Sequence, residues 1–470
     1  MQNSSHQLTM RRLLPILFSL FSLLSYADDE LPVIRIVTID GQMPSCVVVY
    51  APEDCTGTSI ADNQYVAGRM TMTLKDDTLY DSGNYLKGES GMRIKRRGNS
   101  TGAFLDQHPY KLKLSKKADL LMRDNKTFRH KEWVLLSLYT WNVKMSNHES
   151  NVLDICGSLI SNVLEKEWVP AYTFVQVYLN DEYQGMYYLM ESVDKGQSRV
   201  DISKTGFLIE HDIFWWNEHV YFRTQHQNPV TGFTFKYPDD EDVNDSIQSV
   251  IADYVNEFED TLYNHGDISK YIDLESFARW LLIHDILGTD DAGGCNQFLY
   301  KYDLGSNPYQ SRMKMGPVWD YDSMFRSDSW SALHTTEWFY FHLLLQREDF
   351  RQIYYALWEK ARQNILPKIE TELNQIIATY EETFDKGIAL HHTKYPDEAR
   401  QGFRAQIEEA KGKLIERIQL LDRLMANNFS GIRNVDAPRT DDNTIYDLYG
   451  RKTNTPVKGI FIKNGRKYVK

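Results

Sequence analysis

The sequence of 470 residues predicts an α+β fold with a sheet-rich first half and a helix-rich second half. Residues 31–191 read mainly as short strands separated by polar turns. From residue 246 almost to residue 428, apolar residues recur at helical spacing. The length allows two lobes and a short tail, and a composition of 42% hydrophobic and 25% charged residues is that of a globular protein.

A leader precedes the predicted fold. Residues 13–26 are apolar, Arg11 and Arg12 come before them, and Ala27 and an acidic pair come after them. This is the pattern of a secretory signal peptide, and the run is shorter than the ~20 residues of a membrane-spanning helix. We expect residues 1–27 to be removed and the protein to be periplasmic, outer-surface or secreted, with no transmembrane segment in the mature chain. A membrane anchor is the alternative.

The predicted elements follow in order. Residues 33–37 read as a strand, and residues 174–179 and 185–189 read as a hairpin around the polar turn 180–182. A helix over residues 152–165 interrupts this region. The last helix carries a core-facing apolar stripe, formed by Ile407, Ala410, Leu414, Ile418, Leu421 and Met425. The final residues predict a second hairpin, 460–462 and 467–469, around Asn464 and Gly465.

These elements divide the chain into a β-rich extension at 28–90, a main domain at 91–435 and a β tail at 436–470. Within the main domain, residues 91–240 form the sheet-rich part and 241–435 the helical part, and the acidic run 238–242 at their boundary reads as a surface turn. Cys46 and Cys55 are near enough in sequence for a disulfide, whereas Cys156 and Cys295 have the apolar surroundings of buried thiols.

The charge excludes one class of partner. Lys and Arg number 53 against 65 Asp and Glu, a net charge of −12, which disfavours nucleic acid. Residues 451–470 differ, with seven basic residues and no acidic one. This tail resembles the C-terminal sorting segments of secreted proteins from Gram-negative bacteria, although a surface hairpin has the same pattern.

Two constellations carry candidate chemistry. Residues 96–102 read Arg-Arg-Gly-Asn-Ser-Thr-Gly and precede the strand 109–114, which contains Lys111 and Lys113. A polar loop between two strands can present amides and hydroxyls to a phosphate, and a strand lysine supplies a positive charge. A glycine turn beside an amphipathic strand is the structural alternative.

The second constellation is rich in carboxylates. Residues 290–296 form a glycine-containing acidic loop, and residues 319–322 read Trp-Asp-Tyr-Asp. The carboxylate oxygens of these residues suit a hard divalent cation. Asp291 and Asn296 are five residues apart, as are the catalytic aspartate and the metal-binding asparagine of protein kinases. An acidic loop with no ligand is the alternative. The sequence lacks the His-Glu-x-x-His, Gly-x-Ser-x-Gly, Walker and Gly-x-Gly-x-x-Gly motifs.

Together these residues resemble the CotH kinase family of atypical protein kinases, as an exported bacterial member. The resemblance covers roughly residues 90–330. The matching pieces occur in family order, at residues 97–101, 109–114, 177–191, 207–210, 236–239, 291–300 and 319–322. The resemblance implies a two-lobed protein-kinase-like fold, ATP as co-substrate and Mg²⁺ or Mn²⁺ as cofactor.

The resemblance also implies residue roles. Gly98, Asn99, Ser100 and Thr101 would lie over the nucleotide phosphates, with Lys113, or Lys111, in contact with them. Asp291 would orient or deprotonate the acceptor hydroxyl. The expected metal ligands are Asn296, Asp320 and, as second candidate, Asp322.

One role stays open in the sequence. The acidic partner of Lys113 is not placed, although Glu149 and Glu165 flank the predicted helix. Two departures from the family pattern, in residues 141–149 and at Arg326, leave open a degenerate nucleotide site.

The leading hypothesis is a kinase that transfers the γ-phosphate of ATP to a Ser/Thr side chain or another hydroxyl, on a protein or a small molecule. The alternative is a non-catalytic cell-surface binding or adhesion protein with the same fold. A third possibility is a carbohydrate-processing enzyme with paired carboxylates. Such an enzyme would need two acids about 5–10 Å apart.

Overall fold

The computed structural model describes residues 30–123, 125–138, 152–226, 230–289, 291–305, 307–324, 333, 339–396, 401–429, 445–447, 452–453, 460–463 and 466–469. The signal peptide predicted at residues 1–27 therefore lies outside the described residues, as do Glu149 and Arg326. The chain divides into two compact units, Met1–Asp422 and Arg423–Lys470.

The first unit contains a larger sheet, a smaller sheet, a separate two-stranded pairing of Val47–Tyr50 with Thr58–Ala61, and most of the helical residues. Its strands are β1 (Val33–Thr38), β2 (Val47–Tyr50), β3 (Thr58–Ala61), β4 (Val66–Leu74), β5 (Asp77–Asp81), β6 (Met92–Arg96), β7 (Tyr110–Ala118), β8 (His130–Ser137), β9 (Tyr172–Leu179), β10 (Glu182–Glu191), β11 (Phe207–Asp212), β12 (Tyr221–Phe222), β13 (Gly232–Tyr237), β14 (Gln297–Lys301) and β15 (Lys314–Met315).

The helices are α1 (Ser100–Phe104), α2 (Leu153–Val163), α3 (Asp245–Tyr263), α4 (Leu274–Leu287), α5 (Phe341–Leu344), α6 (Glu348–Arg362), α7 (Ile365–Lys394) and α8 (Phe403–Phe429). The fold is thus a mixed α+β one, with strands concentrated before residue 240 and helices after it. The helix predicted at 152–165 and the long helix with the apolar stripe are confirmed as α2 and α8, and the stripe residues are buried.

The larger sheet closes on itself. Its order is β1-β9-β10-β8-β7-β6-β4-β5, and β1 also pairs with β4. Alternate residues therefore face either the interior or the outer surface. In β7, Leu112 and Leu114 are buried in the enclosed core, whereas Lys111 and Lys113 face outward. Strands β1, β4 and β5, from residues 28–90, belong to this same sheet.

The predicted hairpin at 174–189 is confirmed as β9 and β10, which pair antiparallel. Asn180 and Asp181 connect them with φ values of 50° and 63°. Two consecutive left-handed residues give the turn whose twist matches that of the flanking strands, and Asn and Asp tolerate this conformation.

The smaller sheet has the order β12-β13-β11-β14-β15. Its last two strands come from residues 297–315, inside the region that the sequence pattern predicted to be helical. The expectation of continuous helix from 246 to 428 was therefore wrong at these strands. They are short, and β14 gains its stability by pairing along its length with β11, some 90 residues earlier in the chain.

Aromatic side chains join the larger sheet to the helices. The ring of Phe174 in β9 lies 5.5 Å from Tyr380 and 5.0 Å from Phe384 in α7, and 6.3 Å from Phe403 in α8. Phe174 is fully buried. Edge-to-face contacts of this kind add to the free energy gained by burial.

The second unit contains β16 (Ile445–Asp447), β17 (Lys452–Thr453), β18 (Ile460–Lys463) and β19 (Arg466–Val469). These strands form one sheet in the order β17-β16-β18-β19. The predicted terminal hairpin is confirmed as β18 and β19, since Lys463 pairs with Arg466 around residues 464–465.

All four cysteines are free thiols. The suggested disulfide between Cys46 and Cys55 is not formed, because the β2–β3 register pairs Val47 with Ala61. Cys46 thus lies at the open end of this hairpin and Cys55 in its connecting turn. Within the described residues, no helix combines the length and apolar character needed to cross a bilayer.

Phe174→Ala should lower the free energy of unfolding by about 3–5 kcal/mol, because it removes a fully buried ring from the contact between sheet and helices. Urea unfolding followed by circular dichroism measures the change. Tyr50→Ala is the control, since Tyr50 is 71% exposed. Equal losses in the two variants would contradict the assigned role of Phe174.

Candidate functional site

The outer face of β7 carries a basic cluster with one central carboxylate. Glu132 of β8 lies opposite Lys113, and its carboxylate is 2.8 Å from the Lys113 ammonium and 3.2 Å from that of Lys111. Burial opposes the charged form of Glu132, but the two lysines lower its pKa. Burial likewise opposes charge on Lys113, but the bond to Glu132 raises its pKa.

Glu132 is therefore the acidic partner of Lys113 that the sequence did not identify. Glu165, one of the two expected candidates, is instead 2.7 Å from Lys360. The other candidate, Glu149, lies outside the described residues. The signal for Glu132 was a glutamate directly before the apolar run 133–136 of β8, but only the register of β7 and β8 assigns its partner.

A third lysine extends the cluster. Lys95 of β6 lies opposite Lys111, and its ammonium is 5.0 Å from the centre of the Tyr65 ring. Burial and then the charge of Lys111 lower the pKa of Lys95. The repulsion between the Lys95 and Lys111 ammonium groups indicates that a bound anion would stabilise this face of the sheet.

The segment before β7 differs from the expected loop. Residues 100–104 form the helical turn α1, so the polar stretch is not an open loop between two strands. Gly98 has a φ of 87°, and a Cβ there would lie 2.3 Å from the hydroxyl of Thr101. The side-chain oxygen of Asn99 accepts a hydrogen bond of 2.7 Å from Ser59. Asn99 is thus held by the β3 region, and Ser100 begins the helix.

Arg97 connects this segment to the second constellation. Its guanidinium lies over the Trp319 ring, 5.8 Å from the ring centre. Burial lowers the pKa of Arg97, while the nearby carboxylates of Asp320, Glu210 and Asp154 favour its charged form. The sequence pattern included Arg97 but assigned it no role.

Asn296 and Asp320, predicted as metal ligands, are brought together. The Asn296 side-chain amide donates to a carboxylate oxygen of Asp320 at 3.2 Å, and the Asn296 backbone N–H donates to Glu210 at 3.1 Å. Their φ values are 61° and 66°. Asn and Asp tolerate this left-handed backbone, and the hydrogen bonds of Asn296 link it to Asp320 and to Glu210 in this conformation.

Glu210 also binds a partly buried cation. Its second carboxylate oxygen is 2.8 Å from the ammonium of Lys236 in β13. Burial opposes the charge of Lys236, but Glu210 and Glu218 raise its pKa. Burial, and then the charge of Glu210, raise the pKa of Asp212 to about 8.

Asp154, at the start of α2, adds a further acid near Asp320. Burial and then the Asp320 charge raise the pKa of Asp154 to about 7, and Arg97 opposes this shift. The carboxylates around Asp320 thus form a region with surplus negative charge, which a cation would stabilise.

The other two predicted aspartates are Asp291 and Asp322. Asp291 begins a 3-10 turn, Asp291–Gly293, but its side chain lies outside what the structure describes. Asp322 is partly buried two residues after Asp320. The bond from Asn296 makes Asp320 the stronger candidate ligand of the two.

The basic cluster and the Asp320 region interact electrostatically with a shared residue. Burial and then Lys111 lower the pKa of Lys95, and Glu218 opposes this shift. At Lys236 burial opposes the charge, whereas Glu210, followed by Glu218, raises the pKa. We call the basic cluster and the Asp320 region, together with Arg97, the polar region. Arg97 directly follows β6, and its guanidinium lies over Trp319 beside Asp320.

The residues present fit Mg²⁺ or Mn²⁺ bound through few protein ligands. Across the described parts of the chain, no group of three or more His, Cys, Asp or Glu side chains is arranged to hold a metal. Asn296 has an amide oxygen that can bind a cation, while its amide N–H donates to the Asp320 carboxylate. Mg²⁺ commonly takes one or two carboxylates and completes its shell with water and substrate phosphates, so this donor set suits a nucleotide-bound cation.

Comparison with known proteins gives one family. The sequence model described as CotH kinase protein matches residues 94–421, which include every candidate ligand and lysine described above. No curated protein matches the chain.

Asp212→Asn should change how stability depends on pH. The Asp212 pKa of about 8 lies above the unfolded value of about 3.9, so the stability of the wild type should fall relative to the variant as pH rises from about 4 to about 8. Above that range the difference should level off. Urea midpoints in metal-free buffer at about pH 5, 7 and 9 measure it. A difference independent of pH would contradict the assignment.

Proposed function

This chain belongs to the CotH kinase protein family, and we propose from that membership that it is an exported kinase acting on a hydroxyl group. It would take ATP as co-substrate and Mg²⁺ or Mn²⁺ as cofactor, and transfer the γ-phosphate to a Ser/Thr side chain or to the hydroxyl of a small molecule. The two-lobed kinase-like arrangement, with the nucleotide between the larger sheet and the helical part, is part of this proposal.

The observation that carries the proposal is the cluster of Arg97, Asn296 and Asp320. Arg97 lies over the residue next to Asp320, and Asn296 donates to the Asp320 carboxylate. These residues come from three separate segments of the family match. A guanidinium beside side chains that can bind a metal suits a phosphate bound to a divalent cation. The guanidinium can pair with the phosphate, and the side-chain oxygens can bind the cation.

Different residues would bind the cation and the phosphate. Asn296 and Asp320, with Asp322 as second candidate, would hold the cation. Arg97 would pair with a phosphate oxygen. A bound Mg²⁺ supplies electrostatic stabilisation of the negative charge that develops on the transferred group.

The basic cluster would hold the rest of the polyphosphate. Lys113, or Lys111, would contact the α- and β-phosphates while the ion pairs with Glu132 orient both lysines. Gly98 to Thr101 would cover the phosphates through the backbone, because the side chain of Asn99 is already bonded to Ser59. Local positive charge of this kind attracts a nucleotide despite the net charge of −12.

Asp291 would act on the acceptor. In the transfer, the acceptor oxygen bonds to the γ-phosphorus as the bond to the ADP oxygen breaks, and the hydroxyl proton passes to the Asp291 carboxylate. The position of Asp291 directly before the Asn296 loop supports this role.

A non-catalytic binding protein of the cell surface is the second candidate. Exposed apolar side chains concentrate near the start of the first unit, at Val37, Ile39, Met43, Val47, Val48 and Tyr50. Exposed apolar residues close together in the chain favour a surface for a protein partner. This candidate does not require the polar region to turn over ATP.

Asp320→Ala should lower kcat about 10²–10³-fold, because a ligand lost from the metal removes an interaction made in the transition state. Incorporation of labelled phosphate from Mg-ATP measures it, beside Asp291→Ala and Asp322→Ala. Asp242→Ala, at an exposed carboxylate, is the matched control. Equal incorporation in wild type, Asp320→Ala and Asp291→Ala would reject the kinase.

Lys113→Met should weaken nucleotide binding without abolishing the fold. In wild type, millimolar Mg-ATP should raise the melting temperature, because a ligand bound only by the folded state stabilises it. Lys113→Met should reduce that shift, while Lys117→Met, further along β7 on an exposed side chain, should keep it. Absence of a shift in wild type would favour the binding protein.

A further inference from the structure

Asp320 is followed by a tyrosine that packs against the middle of α2. Tyr321 is 2% exposed, and a Cβ on Gly157 would lie 2.1 Å from Cγ of its ring. Glycine inside a helix costs about 1 kcal/mol relative to alanine and marks a close approach. Gly157 therefore provides the space that the Tyr321 ring occupies.

The hydroxyl of Tyr321 adds a second attachment to the same helix. It lies 3.1 Å from the hydroxyl of Ser161, one helical turn after Gly157. It also donates to the carbonyl oxygen of Val318 at 3.3 Å. The turn from 318 to 321 is thus bonded to itself and to α2 through a single side chain.

Asp320 lies between two fixed neighbours. On one side Trp319, 7% exposed, faces the guanidinium of Arg97, and on the other side Tyr321 is held by α2. The left-handed backbone of Asp320, φ 66°, is therefore imposed from outside the residue. Its bond with Asn296 depends on that backbone, because a change in φ would move the carboxylate away from the amide.

We propose that Tyr321, seated on Gly157 and bonded to Ser161, is a positioning residue that sets the affinity of the Asn296–Asp320 pair for a divalent cation. The proposal rests on the proposed function, because it concerns the same site. It assigns to α2 a role at the metal through packing, although neither Gly157 nor Ser161 is a ligand.

Gly157→Ala tests the packing, and the chain offers a matched control. Gly387 in α7 is also a helical glycine without room for a side chain, since its Cβ would lie 2.6 Å from Cδ1 of Leu31. Both substitutions overpack a helix contact, but only Gly157 contacts Tyr321. Mn²⁺ affinity, measured by electron paramagnetic resonance on the full chain without nucleotide, should fall about tenfold or more in Gly157→Ala and stay within about twofold in Gly387→Ala.

Two milder variants keep the test decisive if Gly157→Ala fails to fold. Tyr321→Phe removes the hydroxyl and keeps the ring, and Ser161→Ala removes its partner. Each should weaken Mn²⁺ binding about two- to fivefold. The double variant should bind no more weakly than Tyr321→Phe alone, because Tyr321→Phe already removes the bond that Ser161→Ala removes. Unchanged Mn²⁺ affinity in both variants, or equal losses in Gly157→Ala and Gly387→Ala, would overturn the proposal.

Hydrogen exchange separates this proposal from the proposed function. In metal-free protein, amides of residues 316–324 should exchange faster in Gly157→Ala than in wild type, and Gly387→Ala should leave them unchanged. Wild type that binds Mn²⁺ neither alone nor with ADP would reject the metal site and with it the kinase. Unchanged exchange in Gly157→Ala would reject the positioning role even if Mn²⁺ binds.

Discussion

Closure of the larger sheet is the constraint on which the rest of the structure depends. Once β1 pairs with both β4 and β9, every strand of the closed sheet has one face toward an enclosed core and one toward the outside. The interior takes the apolar residues, so the polar residues of β6, β7 and β8 must share the outer face. Lys95, Lys111, Lys113 and Glu132 are neighbours for this reason, since the register that aligns the core also aligns them.

Charge in the polar region is balanced unevenly. Lys113 and Glu132, and Lys236 and Glu210, are close ion pairs, whereas Asp154 and Asp212 hold raised pKa values because burial and neighbouring carboxylates disfavour their charge. A structural ion-pair network would gain stability by pairing every carboxylate. In the polar region, by contrast, some carboxylates have perturbed pKa values and the lysines are close to one another. This arrangement is expected where a bound ligand supplies both a cation for the carboxylates and phosphates for the lysines.

Local features could be predicted from the sequence, and long-range ones could not. The β9–β10 hairpin, α2 and the apolar stripe of α8 depend on spacings within a few residues, so the sequence pattern was sufficient for each. Strands β14 and β15 were missed because they are short, and because β14 pairs with the distant β11 and β15 pairs only with β14 among the described strands. The same limit applies to the site: Asn296 and Asp320 were predicted from residue type and motif, whereas Glu132 and the place of Arg97 depend on pairings between distant segments.

The aromatic contact of Phe174 with Phe384 and Phe403 has a consequence for how the chain folds. These rings are more than 200 residues apart in sequence, and the parallel pairing of β1 with β9 spans about 140. Such contacts cannot form until most of the chain is available. Folding is slowed because the entropy cost of closing long loops precedes the favourable contacts. An N-terminal fragment ending before α7 would leave the Phe174 side of β9 uncovered. The core around Phe174 is therefore satisfied only when the chain extends through α7 to the start of α8.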